Sequence, residues 1–85
     1  GIVSRVVPTV EELMPVCLAF AGEMLRNGPV AIRQAKQAID QGLDHPLSEG
    51  LKIETAAYEV VIPTEDRMEA LRAFAEKRTP QFQGK

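Results

Sequence analysis

Two adjacent carboxylate pairs, Glu11-Glu12 and Glu65-Asp66, are the first residues to weigh for acid–base chemistry in this chain. Such chemistry needs carboxyls whose surroundings push their pKa values apart. Both pairs instead fall where a helix begins, and negative charge there complements the helix dipole without any catalytic task. His45, the sole histidine, precedes Pro46 in a loop, so helix entry or solvent exposure explains it better than proton transfer. Cys17, the sole cysteine, shares helical spacing with Leu13, Phe20, Ala21 and Met24. It reads as a small core residue rather than a thiolate nucleophile. One histidine with one cysteine does not make a ligand set, so no metal is expected. Ser4 and Ser48 lack a base pattern, and the glycines stand singly, with no phosphate-cradling loop. Residue types and spacing alone point to no reaction.

The basic residues suggest binding rather than catalysis. Arg33 and Lys36 share a helix face and read as solvated charge. Lys77 and Arg78 sit together at a helix end, where the dipole favours cations but one anionic ligand is also accommodated. A net charge of −2, with aromatics only at Phe20, Tyr58, Phe74 and Phe82, gives no basic, stacking surface for nucleic acid and no attraction to anionic membrane. No apolar run approaches the ~20 residues that span a bilayer. The lone cysteine cannot close an internal disulfide, which fits a reducing compartment: the cytoplasm, or alternatively the mitochondrial matrix.

The elements that must position these groups are helices. At 85 residues and 45% hydrophobic content, the chain has the composition of one small folded domain. Such a length buries only ~60–65% of its unfolded surface, a marginal core unless something else covers it. Residues 1–8 hold Ile2, Val3, Val6 and Val7 before Pro8, a β-branched cluster with strand character. No other segment offers a pairing strand, so this leader is expected to complete a sheet supplied by sequence upstream, and the chain to be a cut piece of a longer protein.

A first helix is expected from Thr9, with Thr9 and Glu12 as a reciprocal capping box. Pro15 either bends it or lies close to its regular start. Asn27-Gly28-Pro29 separates it from a second helix, with Gly28 free to take positive φ and Pro29 suited to the first turn. That helix runs from Pro29 to about Gln41, turns Ile32, Ala35 and Ile39 inward, and closes at Gly42. A third helix, about Leu47 to Ile62, carries Leu47, Leu51, Tyr58, Val61 and Ile62 as its inner stripe. Pro63 breaks it. Thr64 caps a fourth, on which Met68, Leu71, Phe74 and Ala75 line up before Pro80 stops the helix. The fold class is therefore an all-α segment of about four helices with a short extended leader.

Five pieces of this chain, in order, resemble the C-terminal part of the enoyl-CoA hydratase/isomerase (crotonase) family. They are Gly1-Ile2-Val3-Ser4-Arg5-Val6-Val7; Gly28-Pro29-Val30-Ala31-Ile32-Arg33-Gln34-Ala35-Lys36-Gln37-Ala38-Ile39; Gly50-Leu51 with Glu54 and Tyr58; Asp66-Arg67-Met68-Glu69-Ala70-Leu71; and Ala73-Phe74-Ala75-Glu76-Lys77-Arg78. Ala70 stands where glycine is commoner, and Pro15 interrupts the first helix. Each piece alone is weak; their order is specific.

The resemblance implies a full fold with an N-terminal spiral of ββα units, to which residues 1–8 would belong, and a helical trimerisation and lid region at 9–85. It implies homo-oligomers, trimers or hexamers, and an acyl-CoA substrate with no cofactor. The activity it implies is addition of water across the double bond of a 2-enoyl-CoA thioester in fatty-acid or related acyl-CoA metabolism. Two backbone N–H groups hold the developing oxyanion and two glutamates manage the water, all of them upstream, so this chain alone is expected to be inactive. By motif, Phe74 and Lys77 lie beside the adenine and phosphates of CoA bound to a neighbouring subunit. A core position for Phe74 and a dipole role for Lys77 are the structural alternatives. A stand-alone helical interaction module without catalysis is the alternative function, with a helix-turn-helix DNA binder a distant third.

Overall fold

Breaks at residues 25–28, 43–46 and 62–64 divide the chain into four α-helices: α1 (Leu13–Met24), α2 (Pro29–Gly42), α3 (Leu47–Val61) and α4 (Glu65–Glu76). The computed structural model describes all of residues 1–85, and no strand is present. Residues 1–8 are irregular and, Val7 apart, exposed; with no sheet edge to pair with, their strand character has no expression.

The entry to α1 departs from the capping box. Residues Val10–Glu12 form a 3₁₀ turn, the Thr9 hydroxyl donates to the Glu12 carboxylate at 3.1 Å, and no side chain caps a backbone N–H. Pro15 falls in the first turn of α1, where its missing N–H has no intrahelical partner to lose. The apolar face of α1 meets no other helix closely. Leu13, Phe20 and Met24 are exposed, as is Cys17, so the core placement expected for Cys17 is not realised in this chain.

Helices α2 and α3 form the one intimate helix pair. The inward ridge of α2 is Ala31, Gln34, Ala38 and Gly42, and that of α3 is Gly50, Ile53, Ala57 and Val61. Both follow the i, i+3, i+7, i+11 spacing of one helix face. Small side chains allow the close approach expected of them, although through this ridge rather than Ile32, Ala35 and Ile39. A methyl group on Gly50 would lie 3.4 Å from the Gly42 carbonyl oxygen. Gly42 is thus helical and a contact point, not a terminator, and Gly28 takes φ −62° rather than a positive value. Beside the ridge opens a groove of about 820 Å³, lined among others by Ala35, Ile39, Leu43, Leu47, Leu51 and Tyr58. His45 closes the C-terminal end of α2: its Nδ1 donates to the Gln41 carbonyl at 2.9 Å.

The Thr64 hydroxyl caps α4 as expected, accepting from the Arg67 N–H at 3.2 Å and donating to the Val61 carbonyl at 2.7 Å. The buried face of α4 is not the apolar stripe. Met68, Leu71 and Phe74 are exposed, while Asp66 and Ala73 are buried, and Glu69 and Ala70 half-buried. Residues 66, 69 and 73 share a face at i, i+3, i+7, and the C-terminal tail runs back along it. Asp66 accepts from the Gln83 N–H at 2.7 Å and the Gly84 N–H at 2.8 Å. Its own N–H donates to the Lys85 carbonyl at 2.9 Å. The tail also reaches the start of α2: Phe82 neighbours Gly28, and Gly84, at φ +77°, neighbours Pro29.

The assembly is a slab of 43 × 40 × 18 Å with a radius of gyration of 16.3 Å. A compact domain of this length has about 12 Å. Only Ala57, Ala73 and Asp66 are buried, so polar contacts carry an unusual share of the order at the C-terminal end. Asp66→Ala removes a charged acceptor from two backbone donors, at a cost of about 2–3 kcal/mol to the docked tail. The expected outcome is a roughly 30- to 150-fold loss of amide-exchange protection at Gln83 and Gly84. Unchanged protection there would mean that apolar contacts at Phe82 hold the tail instead.

Candidate ligand-binding site at the end of helix α4

Phe74 and Lys77 stand three residues apart where α4 ends. Phe74 is 87% exposed, the highest value of any aromatic residue here, so the alternative of a core aromatic does not hold in this chain. Lys77 adopts the left-handed conformation, φ 54° and ψ 39°, and is the only residue other than glycine with positive φ. A residue with a Cβ has about 1–2 kcal/mol against it in that region. The turn is a helix-ending motif that normally takes glycine at this position. The Lys77 N–H donates to the Phe74 carbonyl at 3.2 Å and the Arg78 N–H to the Ala73 carbonyl at 3.0 Å.

Charge around the turn is sorted between neighbours. Both terminal nitrogens of the Arg78 guanidinium fork onto the Glu69 carboxylate, one of them at 3.1 Å, and its Nε reaches Glu76. Glu69 also accepts from the Gln81 N–H at 2.9 Å, with Arg72 more distant at 3.7 Å. The Arg78 hydrogen bonds first, and that from Gln81 second, hold the Glu69 carboxyl at about 2, below its ordinary 4.5. Glu69, with Glu76 second, raises the Arg78 guanidinium in turn. Arg78 is therefore not the free dipole partner its position suggested. Lys77 takes part in none of the ion pairs and remains an exposed, uncommitted cation.

The exposed ring of Phe74 and the unpaired ammonium of Lys77, three residues apart in sequence, offer contact groups. The ring offers a face for a flat heteroaromatic group and the ammonium a charge for phosphate. No cluster of three or more His, Cys, Asp and Glu residues that could hold a metal is present, and no helix is long and apolar enough to cross a membrane. The pairs Lys36–Asp40 and Lys52–Glu49 are exposed ion pairs between neighbouring turns, a solvated surface of little energetic weight.

The resemblance singled out Phe74 and Lys77, which the structure shows exposed at the end of α4; Glu69 and the second task of Asp66 were missed. Asp66 read as an ordinary first-turn charge and Glu69 only as part of a motif, because their partners lie far along the chain: Gln81 is 12 positions after Glu69 and Gly84 is 18 after Asp66. The usable signal was the i, i+3 spacing of Asp66 and Glu69 on a helix followed by a polar tail with no helical character.

The enoyl-CoA hydratase/isomerase family matches residues 1–85. Human mitochondrial methylglutaconyl-CoA hydratase is 54% identical over 67 residues, covering 79% of this chain and 20% of that protein. An enoyl-CoA isomerase/hydratase of Mycosarcoma maydis is 40% identical over 85 residues, covering 100% of this chain and 31% of that protein. The crystal structure of an enoyl-CoA hydratase from Bacillus anthracis superposes on all of this chain with a TM-score of 0.95 and 47% identity, covering 33% of that chain. This chain thus spans about a third or less of each protein it matches. Both bacterial and mitochondrial proteins are among them.

Acid should undo the turn in a defined window. A carboxyl whose folded pKa is lowered contributes stability that is present above its unfolded value and lost as pH falls through the folded one. For Glu69 that window runs from 4.5 down to about 2. Amide exchange at Gln81 and the Arg78 side-chain signals should loosen progressively across it, and Glu69→Gln should abolish that dependence. A transition at Gln81 complete above pH 5 would contradict the assignment to Glu69.

Proposed function

This chain belongs to the enoyl-CoA hydratase/isomerase family, and we propose that it is the helical C-terminal region of an enoyl-CoA hydratase-type protein. In this reading it supplies Phe74 and Lys77 to the nucleotide end of CoA bound by a neighbouring subunit, and apolar helix faces to a homo-oligomer. The whole protein adds water across the double bond of a 2-enoyl-CoA thioester. The oxyanion donors and the glutamates that handle water lie on sequence outside these residues, and no residue of this chain is assigned to them.

The single observation that carries the reading is the pairing of an 87% exposed Phe74 with an unpaired Lys77 held in a left-handed turn. An aromatic ring that exposed serves no packing purpose in the chain, and a left-handed lysine is conformationally costly where glycine would be free. Both are accounted for if a nucleotide takes the ring face and the charge. The oligomer reading is supported by the unpartnered apolar residues of α1 and by the open α2–α3 groove, more apolar surface than a monomer of this size ordinarily leaves uncovered.

In the full-length protein, Lys77→Ala should raise the KM for acyl-CoA a few-fold with kcat nearly unchanged. A solvent-exposed charge contact is worth about 0.5–1 kcal/mol and fades with added salt. Lys77→Gly should weaken CoA equally while leaving thermal stability the same or higher, because glycine suits the turn. Phe74→Ala should also weaken CoA, through lost stacking on the adenine. An unchanged KM for Lys77→Ala at low salt would leave only the dipole role for Lys77 and remove the nucleotide site.

A further inference from the structure

We propose that Glu69 is a positioning residue for nucleotide binding, acting through Lys77 without touching the ligand. The proposal rests on the reading of Phe74 and Lys77 as the nucleotide-binding pair. Lys77 has no conformational reason of its own to stay left-handed. The backbone bonds from Lys77 to Phe74 and from Arg78 to Ala73 close the turn, but they leave the chain beyond Arg78 free to swing. Glu69 removes that freedom from a rigid site. It projects from α4 two helical turns before Lys77, and its side chain is only 14% exposed.

One Glu69 oxygen accepts from the Arg78 guanidinium and from the Gln81 N–H, and the other accepts from the second Arg78 nitrogen. The residue directly after Lys77 and a second point three residues further are thereby fastened to the helix that carries Phe74. Glu76, the residue directly before Lys77, shares the same guanidinium. Lys77 is therefore bracketed on both sides by one charge network in which its own ammonium has no part. Such a network fixes the direction in which an uncommitted side chain leaves the backbone. Glu76, adjacent to Lys77 in sequence, and Glu69 are both paired with Arg78, and neither is paired with Lys77.

Steady-state kinetics in the full-length protein tests this with two substrates that carry the same acyl group, one on CoA and one on pantetheine, which lacks the nucleotide. Glu69→Gln should raise the KM for acyl-CoA by no more than the few-fold expected of Lys77→Ala. It should leave kcat, and the KM for acyl-pantetheine, within two-fold of the parent, on the order of measurement scatter. The double variant Glu69→Gln/Lys77→Ala should be no worse than Lys77→Ala alone, because one residue acts through the other. Arg78→Gln breaks the same fork from the opposite side and gives the same readout if Glu69→Gln does not fold. Additive effects in the double variant, or equal losses on both substrates, would overturn the positioning role. An effect of Lys77→Ala on acyl-CoA alone, with none from Glu69→Gln or Arg78→Gln, would overturn it while sparing the nucleotide site. No CoA-specific effect from Lys77→Ala or Phe74→Ala would overturn both.

Discussion

Two carboxylates one turn apart on α4 organise the end of this chain. Asp66 and Glu69 take five hydrogen bonds from residues after the helix: two from the Arg78 guanidinium and one each from the backbone N–H groups of Gln81, Gln83 and Gly84; the Gln83 and Gly84 bonds go to Asp66. The tail has no helix or strand of its own to satisfy these backbone donors, and an unsatisfied, partly enclosed N–H is costly. Charged acceptors on a rigid helix are a strong solution because each bond is charge-assisted. The consequences spread outward. The tail lies along the face that contains Ala73, its end reaches the start of α2, and the opposite face, with Met68, Leu71 and Phe74, is left open.

A different constraint governs the middle of the chain. Helices α2 and α3 approach through Ala31, Ala38, Gly42, Gly50 and Ala57, so the pair is close but encloses little apolar area. Ala57 is the one buried residue of the pair, and larger side chains such as Leu47, Leu51 and Tyr58 flank an open groove. Burial of this extent does not offset the conformational entropy of 85 ordered residues. The faces of α1, of the groove and of α4 therefore stay open in this chain.

Local signals were legible in sequence and long-range ones were not. Pro29 and Thr64 mark helix starts because their effects are confined to one turn, and the four expected helices are present. Inner faces were misread on all four helices: Ile32 and Ile39 of α2 and Leu47, Leu51, Tyr58 and Ile62 at α3 are exposed, as are the expected stripes of α1 and α4. Periodicity reports which residues share a face, such as Met68, Leu71 and Phe74, but not whether that face meets this chain or something outside it. Cys17 is exposed for the same reason. Phe74 and Lys77 were singled out through resemblance to a family motif, whereas the left-handed turn at Lys77 was invisible, since nothing about a lysine announces positive φ. The acids that hold the turn were hidden by sequence distance: a side chain eight or more residues from its donors leaves no periodic trace.

Labelling with an azido-adenine analogue of CoA in the full-length protein tests the central claim most directly. Light would join the nucleotide ring to whatever residue it lies against, and trypsin would release the segment from Ala73 to Lys77 as one peptide, between Arg72 and Arg78. The label is expected on that peptide, at Phe74, with protection by excess unlabelled CoA. Saturable, CoA-protected label found only elsewhere, with the 73–77 peptide unmodified, would contradict it.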